Sequence, residues 1–386
     1  MFRAGIYVGW VGYLNLGDEA MYELCRTRFS GIRWSRLEDV SYELHPGQII
    51  RRGHQSPNQM LEAITEELSN QRRLRSLATK TLQKVANLTG RQVGLYGGGT
   101  LINRNADALD QYISVRKRSG HLVPTFGTGV IQPNFWSTRE AGWTNRLKEW
   151  AAVLAELPVA GVRGPMSKAL LDDAGARNVV VCGDPAVSFH RPYSNQPRPA
   201  RREGPLRVGL NTGDCSGQLW GRAEDVSDSF VALARWLRQS GHQVEIIPVW
   251  TRDVEPCLEV ARRAQLDRSA VSSVCYAHDA FLERVEKLDL MVCLKLHAGV
   301  LAAAANVPFV SVEYQPKCRD FAASLGWENF VLRTDQLEPG KLIALVESLI
   351  AQLDARQQEL CHGMCALMHR FDEYCDQIEP LLLNPA

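Results

Sequence analysis

A lysine and a histidine stand two residues apart in the sequence VCLKLHAG, which covers residues 292–299. The apolar run before Lys295 predicts a buried strand, and the alanine-rich run after His297 predicts a helix. Ligands of open α/β sheets bind at the carboxyl ends of strands, where helix N-termini favour anions. An ammonium group and an imidazole at that place could bind an anion and transfer a proton. The alternative is a surface lysine beside a packed histidine.

Two more cations follow predicted strands. Arg163 stands in VRGPMS (162–167), where a guanidinium could form a double hydrogen bond to a carboxylate or a phosphate. An ion pair with a neighbouring Asp or Glu explains this arginine equally well. Lys317 stands in EYQPK (313–317), after the strand that follows Lys295. Together with one imidazole, the three cations predict a site for a compact, multiply charged anion.

The first predicted strand leads into GWVGYLNLGDEA (9–20), which opens a helix. Its glycines lack the spacing of a dinucleotide-binding GxGxxG or of a P-loop, so neither nucleotide site is supported. Asn15, Asp18 and Glu19 could accept hydrogen bonds from the hydroxyl groups of a ligand. Capping of the helix N-terminus is the alternative for the two carboxylates.

Three consecutive glycines follow another predicted strand in GGGT (97–100). Glycines let a second group approach the backbone closely, so Gly98, Gly99 and Thr100 predict a turn that lines a ligand site. The sequence GTG (127–129) repeats the pattern after the next strand. We expect these two turns to share one rim of a cleft.

Strand-like apolar runs alternate with amphipathic helical stretches along the whole chain, which predicts parallel sheets covered by helices. In the first half we expect strands at residues 4–10, 92–96, 122–126, 158–162 and 178–182. Helices are expected at residues 17–29, 57–87, 106–118, 142–155 and 165–174. This half should close as one doubly wound domain, after which Asp184 in GDPA (183–186) starts a turn.

A segment rich in proline and arginine, residues 191–205, shows no periodicity and is expected to be a linker. After it, strands are expected at residues 206–210, 243–249, 270–275, 289–294, 309–312 and 329–332. Helices are expected at residues 224–239, 254–264, 277–286, 297–305, 316–324 and 339–355. The predicted units are an N-terminal domain (1–190), the linker (191–205), a C-terminal domain (206–356) and a last helix (357–386) long enough to reach the first domain. Two doubly wound, Rossmann-like domains facing each other leave a cleft between them, which is the expected active site.

The 386 residues include 44 Lys and Arg against 43 Asp and Glu, so bulk charge gives no reason to expect nucleic-acid binding. The 10 cysteines form no CxxC pair and are expected to be reduced. Cys361 and Cys365, with His362 and His369 nearby, have the helical spacing of metal ligands, but we expect no metal and no cofactor. The N-terminus does not resemble a signal peptide and no run of 18 apolar residues occurs, so we expect a soluble, cytoplasmic protein.

The order of these motifs resembles the polysaccharide pyruvyl transferase family over nearly the whole chain. The shared motifs are NxGDEA (15–20), GGGTL (97–101), GTG (127–129), VRGPMS (162–167), GDPA (183–186), KLHAG (295–299) and YQPK (314–317). Lys295 stands where the family commonly has arginine, and Gln315 where it commonly has aspartate.

The resemblance implies a fold like that of GT-B glycosyltransferases, with phosphoenolpyruvate as the donor and a saccharide as the acceptor. The acceptor becomes a pyruvate ketal and phosphate is released. The resemblance places the donor site at Arg163, Lys295, Leu296 and His297, with Lys317 nearby, and the acceptor contacts in the N-terminal domain. We expect His297 to be the general acid and expect the scheme to need no metal.

Two alternatives stay open, a glycosyltransferase of the same two-domain shape that uses a nucleotide sugar, and a saccharide-binding or scaffold protein without turnover. The expected process is polysaccharide biosynthesis for the cell envelope, in the cytoplasm or at the inner face of the membrane. The expected partner is a saccharide or a lipid-linked saccharide, without nucleic acid. The acceptor sugar, the ketal position and the oligomeric state are left open by the sequence.

Overall fold

The computed structural model describes residues 3–9, 11, 15–36, 92–103, 106–135, 142–193, 204–275 and 277–383. They form an α/β fold with two parallel sheets in Rossmann-like arrangements, which confirms the predicted fold class. The predicted helix at residues 57–87 and residues 194–203 of the predicted linker lie outside the described residues. None of the described helices is long and apolar enough to cross a membrane.

The first sheet is built from strands β1 (Arg3–Val8), β2 (Ile32–Arg36), β3 (Val93–Gly97), β4 (Thr125–Phe126), β5 (Ala160–Val162) and β6 (Val179–Val181). The helices that cover it are α1 (Leu16–Arg28), α2 (Ala106–Ser119), α3 (Trp143–Leu154) and α4 (Pro165–Asp173). A parallel bridge between Thr128 and Val162, and a 2.8 Å hydrogen bond from Gly161 N to Thr125 Oγ1, join the β4 side of the sheet to β5. The order of the strands is therefore β2-β1-β3-β4-β5-β6.

The second sheet is built from strands β7 (Arg207–Asn211), β8 (Gln243–Ile246), β9 (Leu290–Cys293), β10 (Phe309–Glu313) and β11 (Val331–Arg333). The helices of this half are α5 (Ala223–Gln239), α6 (Val254–Arg263), α7 (His278–Val285), α8 (Leu296–Ala304), α9 (Pro316–Leu325), α10 (Pro339–Ile350) and α11 (Leu353–Leu383). All pairs of neighbouring strands are parallel, in the order β8-β7-β9-β10-β11.

In both sheets the first strand lies between the second and the third. The strand order therefore reverses beside β1 in the first sheet and beside β7 in the second. Ligands of doubly wound sheets bind outside the carboxyl ends of the strands at such a reversal. The motif NLGDEA follows β1, GGGT follows the end of β3, and KLHAG follows β9, so chain topology alone puts all three motifs at the reversal points.

The last helix, α11, returns to the first domain. Arg3 Nη1 donates to the carbonyl of Leu382 (3.0 Å), and Tyr374 Oη donates to the carbonyl of Thr125. The Phe371 ring lies 5.3 Å from the Phe126 ring, measured between centroids. One face of the first sheet therefore shares a continuous apolar core with α11 and the second domain, whereas the opposite face has a core of its own.

Three expectations differ from the structure. Residues 270–275 do not form a strand, because the Asp267 side chain caps a 3-10 turn at Arg268–Ala270 and only Val271 makes a bridge, to Ile246 of β8. Strand β2 was not predicted, although its alternation of apolar and polar residues is typical of a half-buried edge strand. The predicted boundary between residues 356 and 357 falls inside α11.

Candidate active site between the two domains

His297 reaches from the second domain to the first across a glycine. It lies in the first turn of α8, which starts directly after β9 because Asn211 Oδ1 accepts a 2.9 Å hydrogen bond from Lys295 N. Its ring packs on the first turn of α1, where a Cβ on Gly17 would lie 1.7 Å from His297 Nδ1. Gly17 of the NLGDEA motif is therefore required, because the imidazole occupies the space that a side chain would fill. A helix would otherwise accommodate a side chain at this position.

Arg163 and Asp184 form an ion pair in which both side chains are fully buried. Arg163 Nε donates to Asp184 Oδ2 and Nη2 donates to the carbonyl of Gly99, each at 2.9 Å. The third nitrogen, Nη1, is buried and has no hydrogen-bond partner among the described residues. A guanidinium that is fixed by two of its nitrogens and unpaired at the third is prepared to bind an anion. The two sequence interpretations of Arg163, internal ion pair and anion ligand, are thus compatible.

Asp184 also faces the imidazole. Its Oδ1 accepts a 3.0 Å hydrogen bond from Ala186 N at the start of a 3-10 turn, as the sequence predicts. Its Oδ2 lies 3.4 Å from His297 Nε2, which is ion-pair distance when the ring is protonated. Burial alone would raise the pKa of Asp184, but His297 and Arg163 outweigh it and lower the pKa to about 2. Asp184 is therefore an anion at neutral pH, and its carboxylate faces the His297 ring.

Asp18 is a second buried carboxyl group, in the first turn of α1. Burial raises its pKa to about 6, although His297, Lys317 and Arg163 act to lower it. Both protonation states of Asp18 are therefore accessible near neutral pH, which is the property a proton-transfer group needs.

Lys317 lies in the first turn of α9 with its ammonium 5.0 Å from the centroid of the Tyr314 ring. The pKa of Lys317 is lowered to about 8, mainly by burial and also by the nearby charges of Arg163 and Lys295, which outweigh the opposing effects of Cys318 and Asp18. Across the ranges that the structure describes, no carboxylate lies within ion-pair distance of this ammonium. Lys317 is thus a partly buried cation without an ion-pair partner in the described part of the chain.

Lys295 has a different position from the one its sequence motif suggested. Its ammonium donates to the carbonyl of Asp214, lies 3.4 Å from Asp253 Oδ1, and stands 5.6 Å and 5.7 Å from the ring centroids of Trp250 and Tyr314. Asp253 is fully buried, and its pKa is raised by that burial despite the opposing effect of Lys295. Lys295 therefore compensates an internal carboxylate of its own domain, and its role as a donor ligand stays a prediction.

The second domain also caps a helix of the first. Asp320 of α9 accepts hydrogen bonds from Met166 N (2.8 Å) and Ser167 N (3.2 Å) at the start of α4, and its Oδ2 lies 2.5 Å from Ser167 Oγ. A Cβ on Gly164 would lie 2.1 Å from the carbonyl oxygen of Asp320. These contacts, which we call the Asp320 latch, hold the helix after Arg163 against the helix that carries Lys317.

The two glycine turns lie side by side, as expected. Gly99 O accepts hydrogen bonds from Gly129 N (3.0 Å) and from Arg163, and Gly99 has a φ of 68° that favours glycine. Gly98 has a φ of 77°, and a Cβ there would lie 2.8 Å from Tyr7 Oη, so the close approach at this residue is structural. Thr100 Oγ1 is buried without a hydrogen-bond partner in the described chain, which leaves it available to a ligand.

The other predicted site residues lie at the start of a helix. Asn15 caps α1, because its Oδ1 accepts a 3.1 Å hydrogen bond from Gly17 N. Glu19 N donates to the carbonyl of Asn15 in the same turn, and the acceptor role of the Glu19 carboxylate stays a prediction. Leu296 is buried in the apolar core, so only its backbone remains near the site.

Sequence reasoning missed four side chains of this region. Asp253 and Asp320 follow no recognisable motif, and Tyr7 resembles any other buried strand residue. The fourth is Asp184, whose ion pair with Arg163 was not predicted. Its one sequence signal is its position after the last strand of the first domain, on the same sheet edge as Arg163.

The model of the polysaccharide pyruvyl transferase family matches residues 97–316, which is more than half of the chain. The chain belongs to this family. The matched region contains Arg163, Asp184, Lys295 and His297, and it ends one residue before Lys317. No curated protein matches the sequence.

Solved structures with the same fold confirm the predicted GT-B-like architecture. A UDP co-structure of MnaA from S. aureus is 10% identical, with 98% of each chain covered and a TM-score of 0.56. HepE from Anabaena in complex with UDP and glucose is 11% identical, with 100% of each chain covered and a TM-score of 0.55. A putative UDP-N-acetylglucosamine 2-epimerase from Listeria monocytogenes is 11% identical, covers 94% of this chain and 91% of its own, and has a TM-score of 0.54.

The ion pair between Lys295 and Asp253 predicts a stability effect that can be measured without substrate. Lys295→Met should lower the free energy of unfolding by about 3 kcal/mol, because it leaves a buried carboxylate without its cation. Adding Asp253→Asn should recover most of this loss. The measurement is urea unfolding of both variants, with Lys341→Met as the control, because Lys341 pairs with Glu338 on the exposed surface of α10. Equal stability of wild type and Lys295→Met would contradict the compensating role.

Proposed function

We propose that this family member transfers the enolpyruvyl group of phosphoenolpyruvate to two hydroxyls of a saccharide, forming a pyruvate ketal and releasing phosphate. The observation that supports this most directly is the buried Nη1 of Arg163, which has no hydrogen-bond partner among the described residues, together with the nearby charges of Lys317 and His297. Phosphoenolpyruvate is a compact molecule with one carboxylate and one phosphate, so it needs two separate cationic groups. Arg163 and Lys317 supply them from opposite domains.

In this scheme the protonated His297, held by Asp184, donates its proton to the methylene carbon of the donor. Positive charge develops at the carbon that bears the phosphate, and a saccharide hydroxyl attacks that carbon. The phosphate then leaves, and a second hydroxyl closes the ketal with loss of its own proton. Arg163 and Lys317 act through positioning and through stabilisation of the departing phosphate, because they are fixed before the reaction starts.

Asp18 is the group that we assign to the acceptor hydroxyl. Its carboxyl shares electrostatic contact with His297, Lys317 and Arg163, and its pKa of about 6 leaves it mostly ionised at neutral pH. An ionised carboxylate there can take the proton of the attacking hydroxyl. Thr100 Oγ1, on the same rim as Gly99, is the proposed hydrogen-bonding partner of the saccharide.

The second candidate is transfer from a nucleotide sugar, because two of the structures with this fold contain UDP. The Trp250 and Tyr314 rings beside Lys295 could contact such a ligand in the second domain. Against this candidate, Lys295 already compensates Asp253, whereas Lys317, which has no ion-pair partner among the described residues, lies near Arg163 and Asp18 of the first domain. The proposal also includes a cytoplasmic location and a lipid-linked acceptor. Both follow from the resemblance to the family.

Ligand-induced stabilisation distinguishes the two donors. Phosphoenolpyruvate should raise the melting temperature of the wild type, with about 2.7 kcal/mol of stabilisation at 100 times its Kd, whereas UDP-glucose and GDP-mannose should not. Lys317→Met should abolish the shift, and the surface variant Lys341→Met should retain it. A shift with UDP-glucose and none with phosphoenolpyruvate would replace the proposal by the second candidate.

Loss of the proposed acid should slow the reaction without unfolding the protein. His297→Ala should reduce phosphate release from phosphoenolpyruvate, assayed with a panel of p-nitrophenyl hexosides, by about 10²- to 10⁴-fold. Gly17→Ala should reduce it by about 10²-fold, because the new Cβ displaces the imidazole by an ångström or more. Gly31→Ala is the matched control, since a Cβ there meets only Leu383 Cδ2 at 3.8 Å. Activity of His297→Ala within a few-fold of wild type would exclude the acid role.

The pKa of Asp18 predicts opposite changes in activity and stability. Activity should rise with pH through about 6, as Asp18 becomes ionised, and Asp18→Asn should remove most of it. Because the folded pKa lies above that of the unfolded chain, ionisation opposes folding and stability falls as pH rises from about 4 to 6. At pH 8 Asp18→Asn should therefore be more stable than wild type by about 3 kcal/mol. Urea unfolding tests this, with the exposed first-turn carboxylate of α5 in Asp225→Asn as the control; a destabilised Asp18→Asn would be the contrary result.

A further inference from the structure

A second cluster of reactive side chains lies away from the proposed active site. It consists of His190, at the end of the 3-10 turn Pro185–His190, and of Cys361 and Cys365 on α11. The His190 ring nitrogen and the two sulfur atoms all lie within 4.8 Å of one another. Cys361 and Cys365 are one helical turn apart, so both thiols point from the same face of α11 towards the histidine.

The separations suit a tetrahedral zinc site. With zinc bond lengths of about 2.3 Å to sulfur and about 2.0 Å to nitrogen, the ligand atoms lie about 3.6 Å apart for nitrogen and sulfur and about 3.8 Å apart for two sulfurs. His190 Nε2 lies 3.4 Å from Cys365 Sγ. Because all three ligand atoms lie within 4.8 Å of one another, small side-chain rotations would bring them to bonding distance of one ion.

The histidine is already oriented as a metal ligand. His190 is fully buried, and its Nδ1 lies 2.9 Å from the carbonyl oxygen of Ala304. A carbonyl can only accept a hydrogen bond, so Nδ1 carries the proton and Nε2 presents its lone pair towards Cys365. A hydrogen bond from the second ring nitrogen to a carbonyl is the usual arrangement of metal-bound histidine.

His362 and His369, the histidines that the sequence suggested as partners of these cysteines, are exposed on α11 and do not belong to the cluster. The buried partner comes instead from a residue more than 170 positions earlier in the chain. This long-range pairing explains why the spacing of Cys361 and Cys365 alone did not indicate a site.

We propose that His190, Cys361 and Cys365 bind one zinc-class divalent ion, with water in the fourth position. Thiolate and imidazole ligands select such metals over magnesium or calcium. The ion would connect α11 to the segment that begins at Asp184. It would also hold the C-terminal end of α8, through the hydrogen bond to Ala304, while His297 occupies the opposite end of that helix. The metal is structural and takes no part in the proposed transfer reaction.

The test uses the full chain, stripped of metal by a chelator under reducing conditions and then titrated with Co²⁺ and Zn²⁺. We expect one ion per chain by elemental analysis, a thiolate-to-cobalt absorption band, and a higher melting temperature with Zn²⁺. Cys361→Ser and Cys365→Ser should each weaken binding by at least about 100-fold. His369→Ala, on the same helix but outside the cluster, should bind like wild type.

Absence of the thiolate-to-cobalt band in the wild type would overturn the proposal, as would its persistence in the double variant Cys361→Ser/Cys365→Ser. Equal loss of binding in His369→Ala would also overturn it, because it would place the ion elsewhere on α11. Both cysteines are only partly buried, so the serine variants are expected to fold, and their circular dichroism is the check. The result does not depend on which donor the enzyme uses.

Discussion

The buried ion pair of Arg163 and Asp184 fixes the geometry on which the rest of the site depends. Transfer of two charges from water to the interior is costly, and it is offset here by hydrogen bonds to both partners: Asp184 accepts from Ala186, and Arg163 donates to Gly99. As a result, neither side chain can turn without leaving a buried charge unpaired. The direction of the free guanidinium nitrogen and the charge that faces His297 are therefore set before a ligand arrives, which is the condition for electrostatic catalysis by preorganised groups.

Close backbone approach is the second constraint, and it explains why certain glycines occur where they do. At Gly17 the imidazole of the other domain occupies the volume of a side chain, and at Gly164 the backbone of Asp320 does so. Gly17 lies in the first turn of α1, and Gly164 directly precedes α4. The N-termini of α1, α8 and α9, whose first turns carry Asp18, His297 and Lys317, add positive potential to that of the cations. The site attracts anions through backbone geometry as well as through side chains.

The fold was predictable because long βα alternation has few physical solutions: parallel strands buried on both faces must be covered by helices. The same regularity predicted that Arg163 of the first domain would face Lys295, His297 and Lys317 of the second. It could not predict the partner of Lys295. Residue 295 precedes α8 in an extended conformation, whereas His297 lies in its first turn, so the two side chains diverge although they are two residues apart. The deciding group, Asp253, comes from a different loop, and no local pattern carries that information. The short strand β2 was missed because its alternation covers only five residues, which become a strand through their pairing with β1.

The Asp320 latch bears on how substrates enter. Its hydrogen bonds are the only cap of α4 that the described residues provide, and they exist only while the two domains touch. Three such bonds at about 1 kcal/mol each amount to a population ratio on the order of 100 to 1 in favour of the closed arrangement. They add to the apolar core that the two domains share. Capping of α4 and contact between the domains are therefore one event, and the alignment of Arg163 with Lys317 depends on both.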